Sequence, residues 1–108
     1  YNGCSRVVDY VKDSKYYIDD FDKKEDVYPA IYPNWDHSPR SGKRGLIVTN
    51  STPQNFENVL EGFVENINEK ENKICFLKSW NEWGEGNYVE PDYKFGKEYL
   101  EVIRRKLK

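Results

Sequence analysis

Apolar side chains recur at helical spacing in three stretches of the chain and run together in two others, with polar, turn-forming segments between them. Val7, Tyr10, Val11, Tyr17 and Ile18 share one face if residues 5–18 are wound as a helix, which predicts an amphipathic helix there. Val27-Tyr28-Pro29-Ala30-Ile31-Tyr32 is a continuous apolar run and reads as a buried strand, although Pro29 has no N–H to give to a ladder. Residues 33–45 carry the Pro, Gly, Asn, Asp and Ser content of a long loop, and Leu46-Ile47-Val48 allows at most a brief extended segment. The clearest pattern follows. Thr52 and Pro53 suit an N-cap and a first helical position, and Phe56, Val59, Leu60, Phe63, Val64 and Ile67 mark one face, so a helix is predicted over residues 53–70. Ile74-Cys75-Phe76-Leu77 then reads as a strand covered on both faces. Phe95, Tyr99, Val102, Ile103 and Leu107 place a last helix over residues 96–107.

The order helix, strand, long loop, helix, strand, loop, helix predicts an α/β fold in which crossovers join parallel strands and helices cover the sheet. Two strands cannot complete such a sheet. Residues 1–108 are therefore expected to be one partial domain, the final two units of a larger α/β structure, and the absence of methionine fits that expectation.

Composition narrows the function. With 33% charged residues and a mean hydropathy of -0.97, no run approaches the roughly 18 apolar residues of a membrane span. The 16% aromatic content argues for a folded chain, because disordered chains are poor in aromatics. A net charge of -2 lacks the basic footprint of a nucleic-acid binder, so no nucleic-acid partner is expected. Residues 94–108 do hold six basic against two acidic residues, which reads as a solvated helix face with cations at its C-terminal end. Cys4 and Cys75 lie far apart without metal-ligand spacing, so no metal and no cofactor are expected, and a reducing, cytoplasmic setting fits.

Candidate chemistry gathers where the two predicted strands end, which is where parallel α/β folds carry their functional side chains. After the second strand, residues 80–92 hold Trp80, Asn81, Glu82, Trp83, Glu85, Tyr88, Glu90 and Asp92. Glu82 and Glu85 are three apart, so a helical turn could aim both into one cavity. Paired carboxylates suit sugar chemistry, because one carboxyl protonates a leaving oxygen while the other stabilises positive charge or activates a nucleophile. Indole rings stack on the apolar faces of pyranoses. Equally, two buried tryptophans and a solvated acidic turn would give the same composition. After the first strand come Trp35, Asp36, His37 and Arg40. Asp36 and Arg40 could bind substrate or form an ion pair that organises the loop, and the lone His37 is expected to be an exposed bystander. Asp20 and Asp22 make a formal D-x-D but read as a solvated loop, and Asn50-Ser51-Thr52 reads as the start of a helix rather than a glycan acceptor.

Ser79-Trp80-Asn81-Glu82-Trp83-Gly84-Glu85-Gly86, continued by Glu90-Pro91-Asp92, resembles the C-terminal signature of the WbsX-like glycosyltransferases, the glycoside hydrolase family 99-like domain. Pro33-Asn34-Trp35-Asp36 with Pro39-Arg40 resembles that family's other signature, and Thr52-Pro53 and Tyr99-Leu100 fall where similar residues fall in it. The resemblance covers the chain from about Val27 onward. It implies a (β/α)8 TIM-type barrel of which this chain is the C-terminal βαβα portion, with the rest of the barrel as its partner. It further implies that Glu82 and Glu85 are catalytic. By analogy with the family 99 endo-mannosidases, Glu82 would deprotonate a sugar 2-hydroxyl that attacks its own anomeric carbon, and Glu85 would protonate the leaving oxygen and then activate the acceptor. Those hydrolases commonly have a histidine where this chain has Gly84.

The expected function is glycosyl transfer in lipopolysaccharide O-antigen or capsular polysaccharide biosynthesis. The expected substrate is a carbohydrate, held by Trp35, Asp36, Arg40, Trp80, Asn81, Trp83, Tyr88 and Glu90. A retaining, mannosidase-like endo-hydrolase is the nearest alternative, and a non-catalytic carbohydrate-binding segment using Trp35, Trp80 and Trp83 is another. The isolated chain is expected to be inactive.

Overall fold

The first element departs from the periodicity. In the computed structural model, which describes residues 6–108, the chain starts as a strand, β1 (Arg6–Asp9), and only then turns helical, as α1 (Tyr10–Asp13) continued by a 3-10 turn over Ser14–Tyr16. The start of the predicted helix and Cys4 lie outside the described residues. The physical reason is a partner far along the sequence. β1 pairs in parallel with β3 (Leu46–Thr49), with Val7 opposite Ile47 and Val8 opposite Val48, so β-branched side chains meet β-branched side chains. Asp9 ends the strand by accepting hydrogen bonds from the Val11 and Lys12 N–H groups as an N-cap. The segment expected to be barely extended is thus a four-residue strand.

The two strands read from apolar runs are present but shorter. β2 (Ala30–Ile31) and β4 (Phe76–Leu77) pair in parallel, Ala30 opposite Phe76 and Ile31 opposite Leu77. β5 (Asn81–Glu82) and β6 (Asn87–Tyr88) form an antiparallel hairpin. The fold is mixed α/β, with parallel pairs that interleave along the chain instead of joining consecutive strands. The loop over residues 33–45 is partly helical, with α2 (Ser38–Ser41) followed by a tight turn over Gly42–Arg44.

α3 (Pro53–Asn68) forms where its pattern predicts. Thr52 Oγ1 accepts the Asn55 N–H at 3.2 Å, Pro53 occupies the first turn, and Phe56, Leu60, Phe63 and Ile67 are buried along one face. That face packs on α4 (Glu98–Lys106) through Tyr99 and Val102, with Ile31 and Val89 completing the core. Arg105 bonds Glu57 at 2.8 Å across the two helices. The Lys70 Nζ, just beyond α3, donates to the Val27 carbonyl at 2.6 Å and ties the helix end to the approach to β2.

Near the start of the chain, Tyr10, Tyr17 and Tyr32 close a ring of hydrogen bonds. Tyr10 donates to the Tyr32 carbonyl, Tyr32 to the Tyr17 hydroxyl, and Tyr17 to the Tyr10 carbonyl. The acidic loop makes a one-turn helix over Asp20–Lys23 in which Asp22 accepts the Asp19 N–H and Asp20 pairs with Lys23. Among the described residues, no helix is long and apolar enough to cross a membrane.

Candidate functional site

The hairpin of β5 and β6 places both glutamates at its tip. Glu82 ends β5, and Glu85 closes a tight turn over Trp83–Glu85. The turn is held from inside by Ser79, whose hydroxyl accepts the Glu82 N–H at 3.2 Å and donates to the Asn87 carbonyl at 2.7 Å. Gly86 follows in the left-handed conformation at φ 55°, which a residue with a side chain adopts only with strain. A methyl group there would also lie 2.8–2.9 Å from backbone and Cβ atoms of Asp36. Glycine at this position therefore lets the two strand-end loops touch, and the Asp36 N–H donates to the Glu85 carbonyl at 2.9 Å where they meet.

Asparagines lock the same junction. The Asn34 side chain accepts the Tyr88 N–H at 2.9 Å and donates to the Tyr88 carbonyl at 3.0 Å. Fully buried Asn87 donates to the carbonyls of Asn34 and Lys78. Sequence reasoning assigns neither residue a role. Asn34 stands in the Pro33–Asp36 signature and Asn87 beside an aromatic, but the contacts and burial that make them consequential come from the fold.

Arg40 meets both carboxylates. Its Nη2 lies 3.5 Å from Glu82 Oε1 and its Nη1 lies 3.8 Å from Glu85 Oε1, while Lys78 Nζ lies 3.4 Å from Glu85 Oε2. The anticipated pairing of Asp36 with Arg40 is therefore corrected. Asp36 Oδ1 instead accepts the N–H and hydroxyl of Ser38, the first residue of the turn that carries Arg40. Ion pairs this exposed contribute about 0–1 kcal/mol each.

Beside the pair stands an aromatic platform. Trp83 stacks on Tyr88 with ring centroids 3.7 Å apart and planes 15° from parallel, and Trp83 keeps 47% of its surface exposed. Each polar end of the stack is fixed by a carboxylate. Trp83 Nε1 donates to Glu90 Oε1 at 2.8 Å, and the Tyr88 hydroxyl donates to Asp92 Oδ2 at 2.9 Å. Burial first, and then the Asp92 contact, push the Tyr88 hydroxyl up to about 12. Asp92, given no role of its own in the sequence beyond its place in the Glu90-Pro91-Asp92 signature, is thus what orients Tyr88.

The remaining residues are spread around this centre. Trp35 lies under the Lys78 ammonium, 5.2 Å from ring centroid to Nζ, and lines an apolar groove of about 330 Å³ with Val8, Ile31 and Val48. Trp80 lines a separate apolar groove of about 220 Å³ with Phe56, Phe76 and Leu107. Asn81 is exposed on β5. His37 is half-buried against the Trp35 ring, its Nδ1 3.2 Å from the Ser41 hydroxyl, which corrects the expectation of an exposed bystander. Asn50 donates to Asp9 and Thr52 caps α3, so the sequon serves the start of a helix. Among the described residues, no cluster of three or more His, Cys, Asp or Glu side chains could hold a metal ion.

Comparison with known proteins agrees with the signatures at this site. The chain is 31% identical over 84 residues to an uncharacterized protein WxcX from Xanthomonas campestris pv. campestris, in both strain B100 and strain ATCC 33913. That match covers 75% of this chain and 12% of the relative, so the chain spans a small fraction of the curated proteins it matches. No solved structure matches. The family model for glycosyltransferase WbsX matches residues 2–103, which include both strand-end loops and every residue of the hairpin. The chain belongs to the glycosyltransferase WbsX family.

Proposed function

We propose that the full protein is a glycosyltransferase that builds a cell-surface polysaccharide, lipopolysaccharide O-antigen or capsule, in the cytoplasm. The observation that carries this reading is the arrangement at one hairpin tip: two glutamates that share Arg40 next to a stacked, half-exposed indole platform. A pyranose lying on Trp83 presents its ring oxygens and hydroxyls to carboxylates on the adjoining turn. Glu82 takes the proton of the sugar 2-hydroxyl, whose oxygen attacks the anomeric carbon of the same ring as the bond to the leaving group breaks. Glu85 gives its proton to the leaving oxygen. In the second half the proton flow reverses: Glu85 deprotonates the acceptor hydroxyl, which opens the 1,2-anhydro ring, and Glu82 returns the proton to the 2-oxygen. The two inversions retain the anomeric configuration.

The same steps with water as acceptor make a retaining hydrolase, so the acceptor separates the two activities. In the full-length protein, Glu82→Gln and Glu85→Gln should each lower turnover by about 10²–10⁴-fold while leaving thermal unfolding unchanged. Wild-type turnover in either variant would overturn the reading. Reducing sugar released without an acceptor glycan would assign the protein to hydrolysis instead.

The partner in this reading is the rest of a (β/α)8 barrel. β2 and β4, paired in parallel, with α2, β3 and α3 between them in the chain, would serve as neighbouring staves. Ile74, Phe76, Trp80 and Leu107 are between 43% and 60% exposed, and together form an apolar surface suited to being covered by further protein.

A further inference from the structure

Gly84 lies between the two glutamates, and its backbone is not among the left-handed glycines of this chain. Conformation therefore does not call for glycine there. Space does. A methyl group at residue 84 would overlap Arg40 Nη2, and it would lie 2.9 Å from Arg40 Cζ and 3.2 Å from Glu82 Oε1. The guanidinium thus occupies the place a side chain would take, and from there its two terminal nitrogens face different carboxylates. A planar fork can do this, whereas an ammonium is a single point of charge. Lys78 illustrates the difference, since it reaches Glu85 alone.

The support of Arg40 is built from its own loop and tied to the hairpin. Asp36 accepts the Ser38 N–H at the start of α2, the element that carries Arg40, and the Asp36 N–H is bonded to the Glu85 carbonyl. The cation and the carboxylates are consequently fixed to one another through backbone, not only through flexible side chains. We propose that Arg40 is the positioning residue that holds Glu82 and Glu85 as one working pair, and that the glycine at 84 is the condition for it. This rests on the reading of Glu82 and Glu85 given above. In operation the sugar hydroxyl and the leaving oxygen take over the carboxylate oxygens that Arg40 faces, and Arg40 keeps the two carboxylates from drifting apart before they do. Residue 84 is then the position that sets whether the pair is bridged.

The test is a double-mutant cycle in the full-length protein with Arg40→Met, Gly84→Ala and the double variant, together with Arg40→Lys and a crystal structure of Gly84→Ala. Each single change should lower kcat by about 10²-fold, the cost of a misplaced catalytic group, with KM little changed because the Trp83 platform does not depend on Arg40. The double variant should be no slower than Arg40→Met, since both changes remove the same contact, and Arg40→Lys should restore only part of the loss. The structure should show the guanidinium displaced from both glutamates with the hairpin intact. Wild-type kcat in Gly84→Ala, losses that multiply in the double variant, or an Arg40 that still spans the pair beside the added methyl group would overturn the proposal. If Glu82→Gln and Glu85→Gln are impaired but Arg40→Met and Gly84→Ala are not, this inference fails alone. If the glutamate variants are fully active, the reading of the pair fails, while the structure of Gly84→Ala still judges the bridge.

Discussion

At the scale of single residues, the site depends on two glycines for different reasons. Gly84 leaves room for a guanidinium, whereas Gly86 combines a left-handed backbone with backbone contact to Asp36. Gly42 has a similar φ of 53° but nothing within 4 Å of where a methyl group would stand. Replacing each by alanine separates strain from collision. Gly42→Ala, at φ 53° and ψ -128°, should cost backbone strain alone, about 1–3 kcal/mol, whereas Gly86→Ala adds the collision with Asp36 to its left-handed strain, as read from chemical denaturation midpoints. Trp83→Ala should act on binding instead, raising KM for the glycan about tenfold, or ~1.4 kcal/mol, with a smaller change in kcat. Equal loss in kcat would mean that the platform helps to align the reacting atoms. That Glu82, Glu85 and Trp83 lie together was legible because they are neighbours in one short segment. The partner of Arg40 was not. Asp36 is the near acid in sequence, but its carboxylate is committed to the Ser38 N–H and hydroxyl, and the true partners are brought in by a hairpin roughly forty residues away.

Among the elements, α3 and α4 were readable because an unbroken apolar face and a Thr-Pro start leave few alternatives, and the helices do pack along that face. Phe63, 1% exposed, lies in that packing, so Phe63→Ala should cost about 3–5 kcal/mol in thermal or denaturant unfolding. β1 was unreadable for the converse reason. Val7 continues the helical spacing of Tyr10 and Val11, which do lie in α1, yet residues 6–9 are claimed by a ladder to Leu46–Thr49, which no local pattern displays. Tyr10, Tyr17 and Tyr32 follow this strand, and burial raises all three hydroxyls above the ordinary tyrosine value of 10.0. The folded state therefore holds these protons more tightly than the unfolded chain. Their contribution is fully present below about pH 10 and is lost as pH rises beyond it. Thermal midpoints should be flat from neutral pH to about 10 and fall above it, in step with tyrosinate absorbance. A midpoint that stays level well above about pH 11 would contradict the burial of the triad.

For the whole molecule, the two-stranded parallel pairs and the half-exposed apolar side chains are, under the proposed function, part of a larger α/β domain. The 108-residue chain expressed alone should be inactive on glycans and should bind an apolar dye, whereas the full-length protein should turn over glycan and leave the dye unbound. Parallel pairing was legible from the alternation of elements, but the interleaved order of the pairs was not, because strand partners are chosen by tertiary packing. The most direct test of the glutamate pair is the crystal structure of the full-length Glu85→Gln variant with an oligosaccharide bound. The predicted result is a pyranose face against Trp83, the 2-hydroxyl within hydrogen-bond reach of Glu82, and the glycosidic oxygen within reach of the substituted side chain at 85. A glycan seated on another surface, with both side chains out of reach of its anomeric centre, would contradict it.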